Sequence, residues 1–350
     1  MSFPRCAYPR VFSNLRFSCV CVASCLAVFG IFTNLLLVFL FVSAKLRDCN
    51  LATLALMDGV LCLLYCALFG LEAVVFYLRL ECLYHIYFDY TVYFYTLSKI
   101  VQFSIPCILV ITLVRKLWFL CTKKRCACKL SVLAVFAAVA AGTARALPTL
   151  WSMQLKHHRT CHDTFRSKEI WPAFGWKGLE LYTEFESYMS PTQVIGGFLV
   201  LLVLNSAVAY KLRRSRIVRQ RRMLRHVSGR IRRVSKSLAA LRSVRLYNEV
   251  RLAEKREQTA VSTGVVIVGS QLVCNSVHLV LLVLETWAPR VLVHLDTHGR
   301  KWNPLYLAAR DWSNFLFMFC SCIRLFIHCK FNYSVRRELQ NYFAVLKNSG

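Results

Sequence analysis

The sequence predicts an all-α membrane protein, a seven-transmembrane-helix bundle followed by a short amphipathic C-terminal helix. Three observations lead there. The 350-residue chain is 57% hydrophobic with a mean hydropathy of +0.47. Its apolar residues gather into runs of about 20 or more, the length a helix needs to cross a bilayer. Its net charge of +28 falls largely in the links between those runs. A soluble chain this basic would not carry its Phe, Leu and Val in such stretches, which sets aside a hydrophobic enzyme with a nucleic-acid patch.

The runs are taken in order. The first, 17–43, is apolar around Asn34, and is too long for the core of a cleavable signal peptide. The second, 49–78, carries Asp58. The third, 90–120, is interrupted by Lys99 and Gln102. The fourth (129–152), fifth (189–211) and sixth (260–287) follow, and the seventh, 303–329, contains Arg324. After Cys329, the residues Phe331, Val335, Leu339, Tyr342 and Leu346 fall close to one helical face, the pattern of a helix lying on a membrane surface. The expected organisation is therefore an outer N-terminus (1–16), a bundle (17–329) with a basic third cytoplasmic loop at about 212–259, and a cytoplasmic amphipathic helix and tail (330–350).

Lys and Arg set the orientation. With the N-terminus outside, the inner links hold Lys45, Arg47, Lys123 to Lys129 and the series from Arg213 to Arg256, while Glu81, Asp89, Asp163, Glu169 and Asp296 fall outside. Arg5, Arg10 and Arg16 oppose this, and the larger bias decides for a multi-pass protein of the cell membrane with its N-terminus outside. Most of the 17 cysteines lie inside apolar runs, where they act as small hydrophobes rather than a disulfide framework. The basic loop has one Tyr and no Phe or Trp for base stacking, so no nucleic-acid partner is expected. Membrane lipid is the expected partner of the basic and amphipathic segments. No catalytic constellation or Gly-rich phosphate loop is present, so neither an enzyme nor a cofactor is expected, and "HHRTCHD" at 157–163 lacks an established metal-ligand spacing.

Specific segments carry a family resemblance. "GIFTNLLLVFLF" with Asn34 and "NLATLALMD" with Asp58 resemble the first and second helices of rhodopsin-like (class A) G-protein-coupled receptors. "ITLVRKLWFLC" stands where that family ends its third helix with Asp/Glu-Arg-Tyr. "EKREQTAVSTGVVIV" and "WSNFLFMFCSCIRLFIHCKF" are most similar to FMRFamide-type neuropeptide receptors, and "LPTLW" and "LNSAVAYKLRRSR" fit the same group. The likeness spans about 17–345. It departs at Val114-Arg115-Lys116, at Gly197 and Ser276 in place of prolines, at Cys274 in place of a Trp, and at Arg324 in place of the seventh-helix Asn.

The resemblance implies signalling by outward movement of helix six toward a heterotrimeric G protein, in response to an extracellular peptide of the RFamide type. Arg115 and Lys116, with Arg213, Arg214 and Lys255, would face the G protein. With the acid before Arg115 lost, the resting lock on that Arg is expected to be missing. Glu180, Glu184, Glu186 and Tyr182 would form an acidic, aromatic rim for a ligand bearing Arg and Phe. Cys82 and Cys161 would form the disulfide at the top of helix three, and Cys329 would be a lipidation site. In the family fold Arg324 would face Asp58, filling a sodium site with a tethered cation. Asp58 is the acid deep in run two and Arg324 the base deep in run seven, and a charge at that depth pairs inside the bundle. The alternative is that Arg324 reaches for the inner headgroups. Two other readings of the whole chain stay open: a chemosensory receptor for a small ligand, and a transporter or channel.

Overall fold

A computed structural model describes residues 14–43, 48–122, 128–158, 161–173, 179–231, 238–288, 293–296, 299–302 and 304–349. Seven helices in it are long and apolar enough to cross a membrane. They are α1 (Asn14–Val42), α2 (Cys49–Leu78), α3 (Glu81–Thr122), α4 (Cys128–Ala146, extended by a turn at Pro148–Ser152), α5 (Leu179–Ile231), α6 (Leu238–Trp287) and α7 (Pro304–Phe331). An eighth helix, α8 (Tyr333–Ser349), closes the chain. The chain is a multi-pass membrane protein.

The helices form a ring. α1 packs on α2 and α7, α7 on α6, and α6 on α5, while α3 touches α2, α4 and α5 and, more lightly, α6. A central core of Leu61, Ile105, Leu109, Leu113, Val208 and Val268, with many neighbours, fills the space inside. Large apolar side chains such as Phe32, Phe39, Leu133 and Phe136 point outward, as they should when the surrounding solvent is hydrocarbon. We call the side on which α1 begins the N-face and the opposite side the C-face.

Small residues set how closely α1 and α2 approach. α2 passes through a single π turn at Cys66–Gly70, and a Cβ on Gly70 would lie 2.8 Å from the Ser24 hydroxyl of α1. One contact lower, a Cβ on Gly30 would meet Cys62 Sγ at 2.8 Å and Cys322 Sγ at 3.2 Å. Gly30→Ala should therefore cost about 1–3 kcal/mol through overpacking, read as a lower unfolding temperature of the purified protein. Adding Cys62→Ala should recover most of the loss; failure to recover would place the strain elsewhere.

On the N-face two helices start about ten residues earlier than the hydropathy runs suggest. α3 begins at Glu81 rather than near residue 90 because its first turns pack on a β-hairpin above the bundle. That hairpin pairs β1 (Met153–His157) with β2 (Lys168–Pro172). Tyr84, Tyr87 and Phe88 pack with Val75, Phe165 and Ile170, and the Tyr84 hydroxyl accepts a 2.9 Å bond from the Lys168 amide. Lys168 reaches on to Asp89 at 3.1 Å. α5 likewise begins at Leu179, ten residues ahead of its apolar run. A second hairpin pairs β3 (Val293–Asp296) with β4 (Gly299–Trp302).

The Cys82–Cys161 disulfide is not formed. Cys161 is disulfide-bonded, but Cys82 is an exposed free thiol. The reason is helical phase. Tyr84 and Phe88, one turn apart, face the hairpin, and Cys82, two residues before Tyr84, is rotated about 200° from it.

At the other end α8 packs on α1. Val335 is fully buried against Leu37, Leu40 and Phe41, with Leu339 and Cys329 beside them, and Tyr342 meets the Phe39 ring at 5.6 Å. Asn332 starts the helix by accepting the Ser334 amide at 3.1 Å, the role of an N-cap. The long basic link between α5 and α6 is helical through residue 231 and again from 238.

Candidate functional site

Arg324 is buried inside the bundle, 2% exposed, and it pairs with Asp58, 1% exposed. Its second guanidinium nitrogen, Nη2, donates to Gln271 Oε1 of α6 at 2.8 Å. The Cys320 thiol donates to the same oxygen at 3.3 Å. One step along α7, Ser321 accepts a 2.9 Å bond from Asn34 Nδ2, which also donates to the Gly30 carbonyl at 2.8 Å. Cys62 lies 3.4 Å from the Ser321 hydroxyl. A single polar centre thus joins α1, α2, α6 and α7.

Helical spacing in α7 builds this centre. Cys320, Arg324 and His328 stand four residues apart and share a face, with Ser321 beside them. His328 continues the line toward the C-face, buried edge-on to the Phe41 ring at 5.0 Å. Arg324 is thus a paired interior charge, not one reaching for headgroups. Each partner cancels the other where neither could be solvated. Gln271 was not singled out from sequence, although a guanidinium with five donors needs more acceptors than one carboxylate supplies.

On the C-face, Arg115 lies 3.5 Å from the Asp48 carboxylate. The expectation that this Arg lacks an acid is corrected: Asp48, at the start of α2, supplies one. Asp48 occupies an N-cap position yet makes no side-chain cap bond, leaving its carboxylate for Arg115. Lys116 packs against α6, where a Cβ on Gly264 would come within 2.2 Å of its ammonium. Arg213 and Arg214 are exposed on α5, and the side chain of Lys255 lies outside the described residues. Cys329 is a half-buried free thiol.

On the N-face the four predicted rim residues do not act as one set. Glu186 turns into the bundle, taking Lys99 of α3 on Oε1 at 3.0 Å and Arg145 of α4 on Oε2 at 3.3 Å. Tyr182, one turn earlier, meets the Thr149 hydroxyl at 2.8 Å. Glu180 and Glu184 are exposed. Residues 184 and 186 are about 200° apart around a helix, so they cannot share a face. Elsewhere on this side Arg16 binds Asp311 at 3.1 Å, and the Tyr306 hydroxyl donates to Glu285.

Fold and site define the chain as a seven-helix membrane protein with a buried ion pair at its centre and ion-paired clusters toward both faces. No protein-family model matches the chain, and no curated protein matches it significantly.

Proposed function

We propose that the chain is a seven-helix receptor that passes the binding of an extracellular ligand to a heterotrimeric G protein, with the N-face outside. The observation that carries this reading is the ring order, with α3 inside it touching α2, α4, α5 and α6. Such an arrangement lets one helix of the ring, α6, swing while α3 holds the rest. It agrees with the sequence resemblance to rhodopsin-like receptors, within which a neuropeptide ligand is the reading the α6 and α7 segments favour. Binding shifts the population toward the state with α6 outward. In that state Arg115 leaves Asp48 and meets the G protein.

The test is intracellular calcium in cells expressing the chain with a promiscuous G protein. They are challenged with two peptide panels, one amidated at Arg-Phe and one ending in free carboxylates. A response is expected, and Arg115→Ala should abolish it at unchanged surface expression. A well-expressed chain silent to both panels and without basal coupling would overturn the receptor reading.

A further inference from the structure

The junction of α3, α4 and α5 near the N-face holds more positive than negative charge. Lys99 and Arg145 both point at Glu186, one on each carboxylate oxygen. The formal sum of the three is +1. Their side chains are 17–23% exposed, so the group is enclosed but reachable. Both cations also rest on aromatic rings, Lys99 5.2 Å from the Tyr95 centroid and Arg145 5.9 Å from that of Phe103. Tight helix packing fixes the geometry: a Cβ on Gly142, one turn before Arg145, would sit 3.2 Å from the Ile100 carbonyl and from Phe103.

We propose that Lys99 and Arg145 form an anion-binding site that takes a carboxylate, phosphate or sulfate group of the extracellular ligand, with Glu186 as its internal stand-in. This rests on the receptor reading for the side from which the ligand arrives. The chemistry follows from donor counts. An ammonium has three N–H donors and a guanidinium five, and Glu186 takes one from each. The remaining donors can hold a second anion or, once Glu186 swings aside, a bidentate one. A cationic ligand group would instead meet two like charges around a carboxylate already compensated. The Arg of an Arg-Phe-amide peptide therefore has no counter-ion here. The exposed Glu180 and Glu184 lie about 120° and about 160° around α5 from Glu186, outside the three-residue group.

The experiment uses the full chain in maltoside micelles, which carry neither charge nor phosphate. Unfolding temperature is followed against sodium phosphate, with sodium chloride at matched ionic strength as reference. Phosphate is expected to raise the wild-type value by about 2 °C. Lys99→Gln and Arg145→Gln should each lose that rise, and Glu186→Gln should reach it at about tenfold lower phosphate, because the competing carboxylate is gone. Absence of a phosphate-specific rise in wild type, or a rise surviving Lys99→Gln with Arg145→Gln, would overturn the proposal. So would a Glu186→Gln variant that binds no more tightly, and this variant serves if the two Gln variants fail to fold. Stabilisation by phosphatidylglycerol but not by phosphate would also overturn it, assigning the cations to a lipid headgroup. An amidated Arg-Phe dipeptide that stabilises wild type but not Glu186→Gln would show an acidic site instead. Because no G protein enters the assay, phosphate binding without coupling in cells would sink the receptor reading and leave the anion site standing.

Discussion

Asp58→Asn is expected to destabilise the bundle by about 3–5 kcal/mol, because it leaves the Arg324 guanidinium buried beside a neutral amide. Arg324 is 2% exposed and its remaining bond is to a neutral amide oxygen, so little offsets the lost charge. The readout is surface expression together with the unfolding temperature of the solubilised protein. Arg324→Met should do comparable damage by stranding the carboxylate. The informative variant is the double one. Replacing both partners by apolar residues of similar size removes two desolvation costs along with one attraction, so Asp58→Leu with Arg324→Met should recover most of the stability. Recovery of stability without recovery of signalling would give the pair a role beyond the fold. Single variants as stable as wild type would mean that neither charge is buried as described.

How far the sequence spoke depended on the cost of each feature. The seven spans and the Asp58–Arg324 pair were legible because a charge in an apolar run has few tolerable surroundings. Gln271 was not, since a neutral amide can sit in such a run unremarked and becomes visible only when the acceptors of Arg324 are counted. Asp48 was not singled out, because it stands one residue before the second run, far in sequence from Arg115, and only the fold brings its carboxylate to that Arg. Glu186 was grouped with Glu180 and Glu184 by proximity in the chain, although helical phase alone would have separated it. The helix starts at Glu81 and Leu179 were missed because hydropathy marks where lipid begins. The helices themselves run on beyond it to pack on the hairpin and on Lys99 and Arg145. The partner of Cys161 lies outside the described side chains, and a pairing between cysteines distant in the chain leaves no local signal in the sequence.

Gln271→Leu should raise basal coupling about tenfold or more. Arg324 bridges two helices that play different parts in the proposed switch: Asp58 holds it to α2, and Gln271 ties it to α6 at 2.8 Å. Outward movement of α6 must break the second contact and can leave the first intact. A hydrogen bond to a charged group contributes about 1.5–3 kcal/mol, and each 1.4 kcal/mol is a factor of ten in the balance of two states. Leu at 271 removes the tie from the closed state, so the loss appears as a population shifted toward the open state together with a lower unfolding temperature. Gln271→Glu works the other way, since a carboxylate facing the guanidinium strengthens the tie, and should lower both basal and ligand-driven signalling. The measurement is G-protein activation without ligand, normalised to surface expression, for wild type and the two variants. Opposite signs for Leu and Glu would identify Arg324 as a latch on α6. Equal basal activity in all three would mean that α6 moves without disturbing this contact, and that Gln271 serves packing alone.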